Sequence, residues 1–252
     1  MLARRPMLIA ALSSALVLAL GGAAFAGETK VAVAANFTDA AKAIAARFKA
    51  KTGHEASLSF GSSGQFYTQI ANGAPYEVFL SADVERPRKA ETEGLSVPGS
   101  RFTYATGRLV LYSRTPGLVD GKGAVMKTGR FEKLSIADPK AAPYGQAAVE
   151  TLTKLKLYDA LKPRIVQGAS ITQAFQYVQT GAAELGFVAL SQVINEPGGS
   201  RWVVPASNHT PIEQQAVLLK TGANSEAAKA FMAFLKSGEA QAIIKRYGYE
   251  VR

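Results

Sequence analysis

Residues 30–72 read KVAVAANFTDAAKAIAARFKAKTGHEASLSFGSSGQFYTQIAN, and this stretch decides the fold. Lys30 to Ala34 is a short apolar run suited to a buried strand. From Thr38 to Lys51 the apolar residues Ala41, Ile44, Ala45 and Phe48 recur at helical spacing. Asp39 favours the positive end of that helix and Gly53 stops it. Ala56 to Phe60 is a second strand, followed by Gly61-Ser62-Ser63-Gly64 and a helix from Gln65 to about Asn72. Strand, helix, strand, helix within so short a span specifies an α/β chain.

The pattern continues outward. Val78 to Leu80 predicts a strand and Val84 to Glu93 a helix. Further strands are predicted at Leu134 to Ala137, Arg164 to Val166 and Leu185 to Leu190. Helices are predicted from Gly145 to Lys156 and from Ile171 to Gln179, the latter with Ile171, Ala174, Phe175 and Val178 on one face. Two more, Ser225 to Lys236 and Glu239 to Tyr247, stop at Gly238 and Gly248. Two dense β-rich runs, Arg108 to Ser113 and Ala216 to Leu219, are expected to cross between lobes. The expected division is 27–107 with 212–252 as lobe I and 108–211 as lobe II, each of a size that supports its own core.

The chain opens with Arg4 and Arg5, an apolar run from Met7 to Leu20, and the small residues of Ala24-Phe25-Ala26. That is the pattern of a secretory signal peptide, residues 1–26, cut after Ala26. The run is short of the ~20 residues a spanning helix needs, and no later segment is apolar enough to span, so stable membrane insertion is not expected. The chain has no Cys, which excludes disulfides, thiolate metal sites and a lipid-bearing N-terminal cysteine. The net charge is +10, yet the Lys and Arg are scattered along helix faces and not interleaved with stacking aromatics. Nucleic acid is therefore not an expected partner.

Catalytic tools are sparse. The two histidines, His54 and His209, fall in polar loops. Gly61-Ser62-Ser63-Gly64 misses the G-x-S-x-G nucleophile elbow because residue 65 is Gln. Glu77, Asp83 and Asp138 are isolated carboxylates, and Asp138-Pro139 is a usual turn pair. What stands out instead is a set of helix starts carrying neutral donors: Asn36 with Thr38, Ser62 with Ser63, Tyr144 with Gly145, and Ser170 with Ile171. The first N–H groups of a helix lack internal partners and sit at the positive end of its dipole. Singly, each is an ordinary cap. Several converging where parallel strands end would hold an anion without Lys or Arg.

At these residues the chain resembles the periplasmic molybdate-binding proteins of bacterial ABC transporters, within the type II periplasmic-binding-protein class. The segments that carry the resemblance are VAVAANFTDA, SFGSSGQ, GAPYEVFLSAD, IADPKAAPYGQAA and IIKRYGY, spread over nearly all of the chain after the signal peptide. It implies two lobes of mixed sheet with helices on both faces and a ligand cleft between them. It also implies that Asn36, Ser63, Tyr144 and Ile171 bind the oxyanion, the last through its backbone N–H, with Ala35, Ser62, Gly145 and Ser170 in support. Molybdenum would be held only as the oxyanion. Ala189 stands where other relatives have a ligating Tyr, and Tyr144 is expected to replace that hydroxyl. Glu77 stands where relatives have Asp, with no expected effect on the ligand.

The expected function is capture of molybdate, with tungstate competing, by a periplasmic monomer that hands its cargo to the membrane permease of an ABC importer, with no enzymatic activity and no cofactor. The molybdenum tetrahedron is larger than sulfate, so donors spaced for it leave sulfate short of contacts. Ser63→Ala and Asn36→Ala are each expected to weaken binding by about tenfold or more. Three alternatives stand beside this: a receptor for sulfate, phosphate or a small organic anion, a secreted serine hydrolase using Ser63, and a structural or adhesive domain without a ligand.

Overall fold

The computed structural model describes residues 26–251, and the expected signal peptide lies, apart from Ala26, outside the described residues. Along the chain come β1 (Glu28–Ala34), α1 (Thr38–Thr52), β2 (Glu55–Gly61), α2 (Ser63–Ala71), β3 (Val78–Ser81), α3 (Glu85–Thr92) and β4 (Phe102–Gly107). Then follow β5 (Leu109–Ser113), α4 (Val125–Thr128), β6 (Leu134–Ala137), α5 (Pro143–Lys154), α6 (Tyr158–Leu161), β7 (Ile165–Gly168), α7 (Ile171–Gln179), β8 (Leu185–Ala189), α8 (Leu190–Val193) and β9 (Ser200–Val203). The chain ends with β10 (Ile212–Leu218), α9 (Glu226–Leu235) and α10 (Gly238–Arg246).

The strands form two five-stranded mixed sheets, ordered β2-β1-β3-β10-β4 and β7-β6-β8-β5-β9. Each has three parallel strands followed by two antiparallel pairings. This is the two-lobed α/β architecture that the strand–helix alternation implies. Both sheets bury hydrophobic side chains against helices. In α1, Ala40, Ala41, Ile44 and Phe48 face the first sheet, and Phe48 packs on Phe231 and Phe234 of α9. Each such large side chain contributes about 1.5–3 kcal/mol on burial. Gly53 ends α1 in the left-handed conformation, at φ +77°.

The two runs expected to cross between lobes do not cross. Residues 109–113 lie wholly in the second sheet as β5, and the passage is the Gly107–Arg108 junction after β4. The second run belongs to β10, which lies wholly in the first sheet, and the return passes through 204–211. Strands β4 and β9, both at sheet edges, have no counterpart in the sequence reading, and β9 turns only one large apolar residue, Trp202, inward. Helix α2 starts at Ser63, two residues before the expected Gln65, because Ser62 and Gln65 form a reciprocal cap. Helix α5 starts at Pro143, where a missing N–H costs nothing.

Candidate functional site

Parallel pairing aligns the strand ends that build the site. Ala34 at the end of β1 sits beside Gly61 at the end of β2. In the other lobe Ala137 at the end of β6 sits beside Gly168 at the end of β7. A 3-10 turn (Ala35–Phe37) leads from β1 into α1, and α2, α5 and α7 each begin within a few residues of the other three strand ends. The four starts, two from each lobe, line one small cavity of about 10 Å³. That is about the space of a single water. Among the described residues no charged side chain lines it.

The structure brings Asn36, Ser63, Tyr144 and Ile171 together on this cavity, with Ala35 and Ser62 beside them. It does not bring Gly145 or Ser170 onto the lining. The Gly145 N–H donates to Ala142 C=O at 2.9 Å, and a Cβ at Gly145 would stand 2.1 Å from the Ala137 carbonyl oxygen. The Ser170 hydroxyl accepts the Gln173 N–H at 3.3 Å and caps α7. Ser62 is also a cap, accepting from Gln65 N–H. Ala189 is fully buried at the end of β8, with its N–H donated to Gln192 Oε1 at 2.9 Å.

Accounting for the helix-start N–H groups shows which ones remain for a guest. In α2, Gly64 N–H crosses to Ala141 C=O at 2.9 Å and Gln65 N–H goes to Ser62, which leaves Ser63 N–H. In α5, Pro143 has no N–H and Gly145 bonds back, which leaves Tyr144 N–H. In α7, Gln173 N–H and Ala174 N–H both return to Ser170, which leaves Ile171 N–H and Thr172 N–H. Ser63 Oγ accepts Ala82 N–H at 2.9 Å, so the hydroxyl oxygen is held and its proton is free to donate.

Behind the cavity lies a buried polar network that sequence reasoning missed. Asn36 Nδ2 donates to Gln214 Oε1 at 2.9 Å and to Tyr249 Oη at 3.0 Å, so both amide protons point away from the cavity. The Asn36 carbonyl accepts from Tyr249 Oη at 2.7 Å and from Ser191 Oγ at 2.8 Å. Gln214 Oε1 also accepts from Tyr104 Oη at 3.0 Å. Burial pushes the phenols of Tyr104, Tyr144 and Tyr249 up from their ordinary value, so all three remain protonated donors. The sequence clue was Gln214-Gln215 set between the apolar ends of β10, but Asn36 lies 178 positions away from Gln214.

The jaws are shut by contacts outside the cavity. Gly64 N–H meets Ala141 C=O, Arg86 Nη2 donates to Lys140 C=O at 2.9 Å, and Thr172 Oγ1 reaches Ala35 C=O at 3.4 Å. Arg86 is itself held by the Asp83 carboxylate. Ala34, Ala35, Ala82 and Ile212 of the first lobe pack into the core of the second.

Neither histidine lines the cavity. His54 Nδ1 accepts Gly27 N–H at 2.9 Å, and His209 is an exposed loop residue. Asp138 Oδ1 accepts Lys140 N–H within a turn, and Glu77 accepts from Ser225 Oγ. Among the described residues, no His, Asp or Glu side chain lines the cavity beside Ser63. Among the described residues no group of three or more His, Asp or Glu side chains is placed to ligate a metal ion directly. Among them, too, no helix is long and apolar enough to cross a membrane.

Residues 29–250 match the model of the bacterial extracellular solute-binding protein family. The chain is similar to the molybdate-binding protein ModA of Rhodobacter capsulatus, 59% identical over 93% of each chain. It is also similar to the molybdate-binding protein ModA of Azotobacter vinelandii, 55% identical over 94% of this chain and 97% of that one. The solved periplasmic molybdate-binding protein of Azotobacter vinelandii superposes with a TM-score of 0.86 over 89% of this chain and 99% of that one, at 45% identity.

Proposed function

Because the chain belongs to the bacterial extracellular solute-binding proteins, and within them to the molybdate-binding proteins, we propose that it captures molybdate in the periplasm for an ABC importer. The observation that supports this is a small cavity lined by uncharged residues, onto which helix starts of both lobes turn N–H and O–H donors. Each hydrogen bond to a charged acceptor is worth ~1.5–3 kcal/mol net, so several fixed donors hold a dianion without desolvating a buried Lys or Arg. Lobe I is 27–107 with 212–252, and lobe II is 108–211. Ser63 gives N–H and O–H groups, Tyr144 and Ile171 give their N–H, and Asn36 gives the backbone of its turn while its side chain braces the loop from behind. Molybdenum enters only as the oxyanion, and tungstate competes for the same cage.

In this reading the signal peptide is cut after Ala26, and the mature chain is a monomer that partners a membrane permease. It performs no chemistry, needs no cofactor and binds no nucleic acid. So small a cavity suits a compact anion better than a larger organic one, and a lining with no His, Asp or Glu disfavours a hydrolase.

The test is a thermal-shift panel of molybdate, tungstate, sulfate and phosphate on the mature protein, with elemental analysis of the protein as purified. A ligand at a hundred times its Kd stabilises by about 2.7 kcal/mol. For a chain of this size that is a rise of roughly 5–10 °C in Tm. Molybdate and tungstate should give it, and sulfate and phosphate should not. A larger shift with sulfate or phosphate, or none with any anion, overturns the assignment.

A further inference from the structure

The contacts that span the two lobes fall into two groups. One group lies beside the Gly107–Arg108 passage: in the buried network Gln214 Nε2 donates to Tyr144 Oη at 3.3 Å, and a Cβ at Gly107 would stand 2.0 Å from that oxygen. Contacts so near a pivot move little when lobes swing about it. The other group lies at an open rim groove lined by α2, α3 and the Lys140–Ala141 turn, with no residue of 107–108 or 204–211 among its walls. There the lobes meet through Gly64 N–H to Ala141 C=O and Arg86 Nη2 to Lys140 C=O, both 2.9 Å. Arg86 is built firmly into the first lobe. Its guanidinium is clasped by the Asp83 carboxylate, and both side chains are mostly buried. Asp83 Oδ1 also accepts the Arg86 backbone N–H at 2.9 Å and Ser81 Oγ at 3.2 Å. Ala82, between Ser81 and Asp83, gives its N–H to Ser63 Oγ at 2.9 Å. One turn, residues 81–83, thus seats a cavity donor on one side and the rim arginine on the other.

We propose that Arg86 is a positioning residue for anion retention: reaching from the turn that holds Ser63 to the Lys140 carbonyl of the opposite lobe, it latches the rim and sets how slowly the anion leaves, without touching it. A guanidinium suits the task because its donors form a rigid fork, so Nη1 holds Asp83 while Nη2 crosses to the other lobe. An ammonium is a point charge and does not reproduce that fork. The crossing bond forms only when the rims meet, after the anion has landed. It therefore acts on release and leaves association alone, the usual division for a contact absent from the encounter. The proposal rests on the reading of the cavity as an oxyanion site and adds the group outside it that governs residence time.

The experiment measures release of radiolabelled molybdate into an excess of unlabelled molybdate, on the mature full chain. Calorimetry gives Kd, the ratio of the two gives the association rate, and ligand-free melting is the fold control. Arg86→Met keeps the aliphatic stem and removes both bonds. Arg86→Lys keeps a positive charge beside Asp83 and gives up the fork. Both variants are expected to release molybdate roughly fivefold to tenfold faster, the effect of one lost charge-assisted hydrogen bond in a partly exposed setting. Kd should rise by the same factor, with association within about twofold of wild type. The ligand-free Tm of Arg86→Lys should match wild type. Release at the wild-type rate in Arg86→Lys overturns the proposal, because Arg86 would then matter only through its ion pair inside the first lobe. Slower association with unchanged release overturns it too, as does a ligand-free Tm of Arg86→Lys that falls along with affinity. Should Arg86→Met fail to fold, Arg86→Lys alone decides between these outcomes. A wild-type protein that ignores molybdate counts against the functional reading and takes this proposal with it.

Discussion

Replacing Gly64 by alanine sets two physical effects against each other. Gly64 occupies the first turn of α2 at an ordinary backbone angle, where alanine is the better helix former by up to about 1 kcal/mol. The ligand-free lobe should therefore be no less stable than wild type. The added Cβ, however, would stand 3.0 Å from both Cα and the carbonyl oxygen of Ala141 in the opposite lobe, and 3.1 Å from Arg86 Nη2. Backbone cannot step aside as a flexible side chain does, so the jaws must part by a few tenths of an ångström. Two hydrogen bonds cross at that point, Gly64 N–H to Ala141 C=O and Arg86 Nη2 to Lys140 C=O, both 2.9 Å. Stretching the pair removes about 1–2 kcal/mol from the closed state, or roughly a fivefold to thirtyfold loss of molybdate affinity. Calorimetric titration measures the second effect and a melting curve without anion measures the first. Affinity that does not change refutes the reasoning about closure. A ligand-free Tm that falls along with affinity refutes it too, since the variant would then be damaging the lobe itself.

Ser63→Ala removes a hydroxyl proton from the cage and leaves Ala82 N–H without its acceptor. Molybdate affinity should fall by at least tenfold with the fold retained, and calorimetry showing wild-type affinity would take Ser63 out of the site. Stability at high pH should drop steeply. Tyr104, Tyr144 and Tyr249 are held above 10.0 by burial, so below that pH folded and unfolded chains carry the same phenolic protons. Above it the unfolded chain loses them first, and each tyrosine then costs about 1.4 kcal/mol per pH unit until its folded form also ionises. Urea melts between pH 9 and 11 should show this slope, less steep in Tyr144→Phe, and a flat profile would contradict it.

The strand–helix alternation and the four helix starts were legible because they are local. Ile44 and Phe48 declare a helix face within four residues, while the equally local Ser62–Gln65 cap went unread and moved the start of α2. Convergence of Asn36, Ser63, Tyr144 and Ile171 was legible through the rule that parallel strand ends share a crevice, together with a family resemblance. The bracing network was not. Gln214 reads as a polar interruption of a strand, and its partners Asn36, Tyr104 and Tyr144 lie 178, 110 and 70 positions away. Nor could composition tell that the Asn36 amide faces inward to Tyr249 and Gln214, a choice made by tertiary contact alone.

Ownership of the cage is divided, with β1 and β2 delivering two of the helix starts that line it and β6 and β7 the other two. Neither half grips much alone. Unloading therefore requires no acid, no reductant and no spent nucleotide at the cavity itself. Any force that pries the halves apart strips the cargo of one lobe's contacts at a stroke and readmits water to the rest.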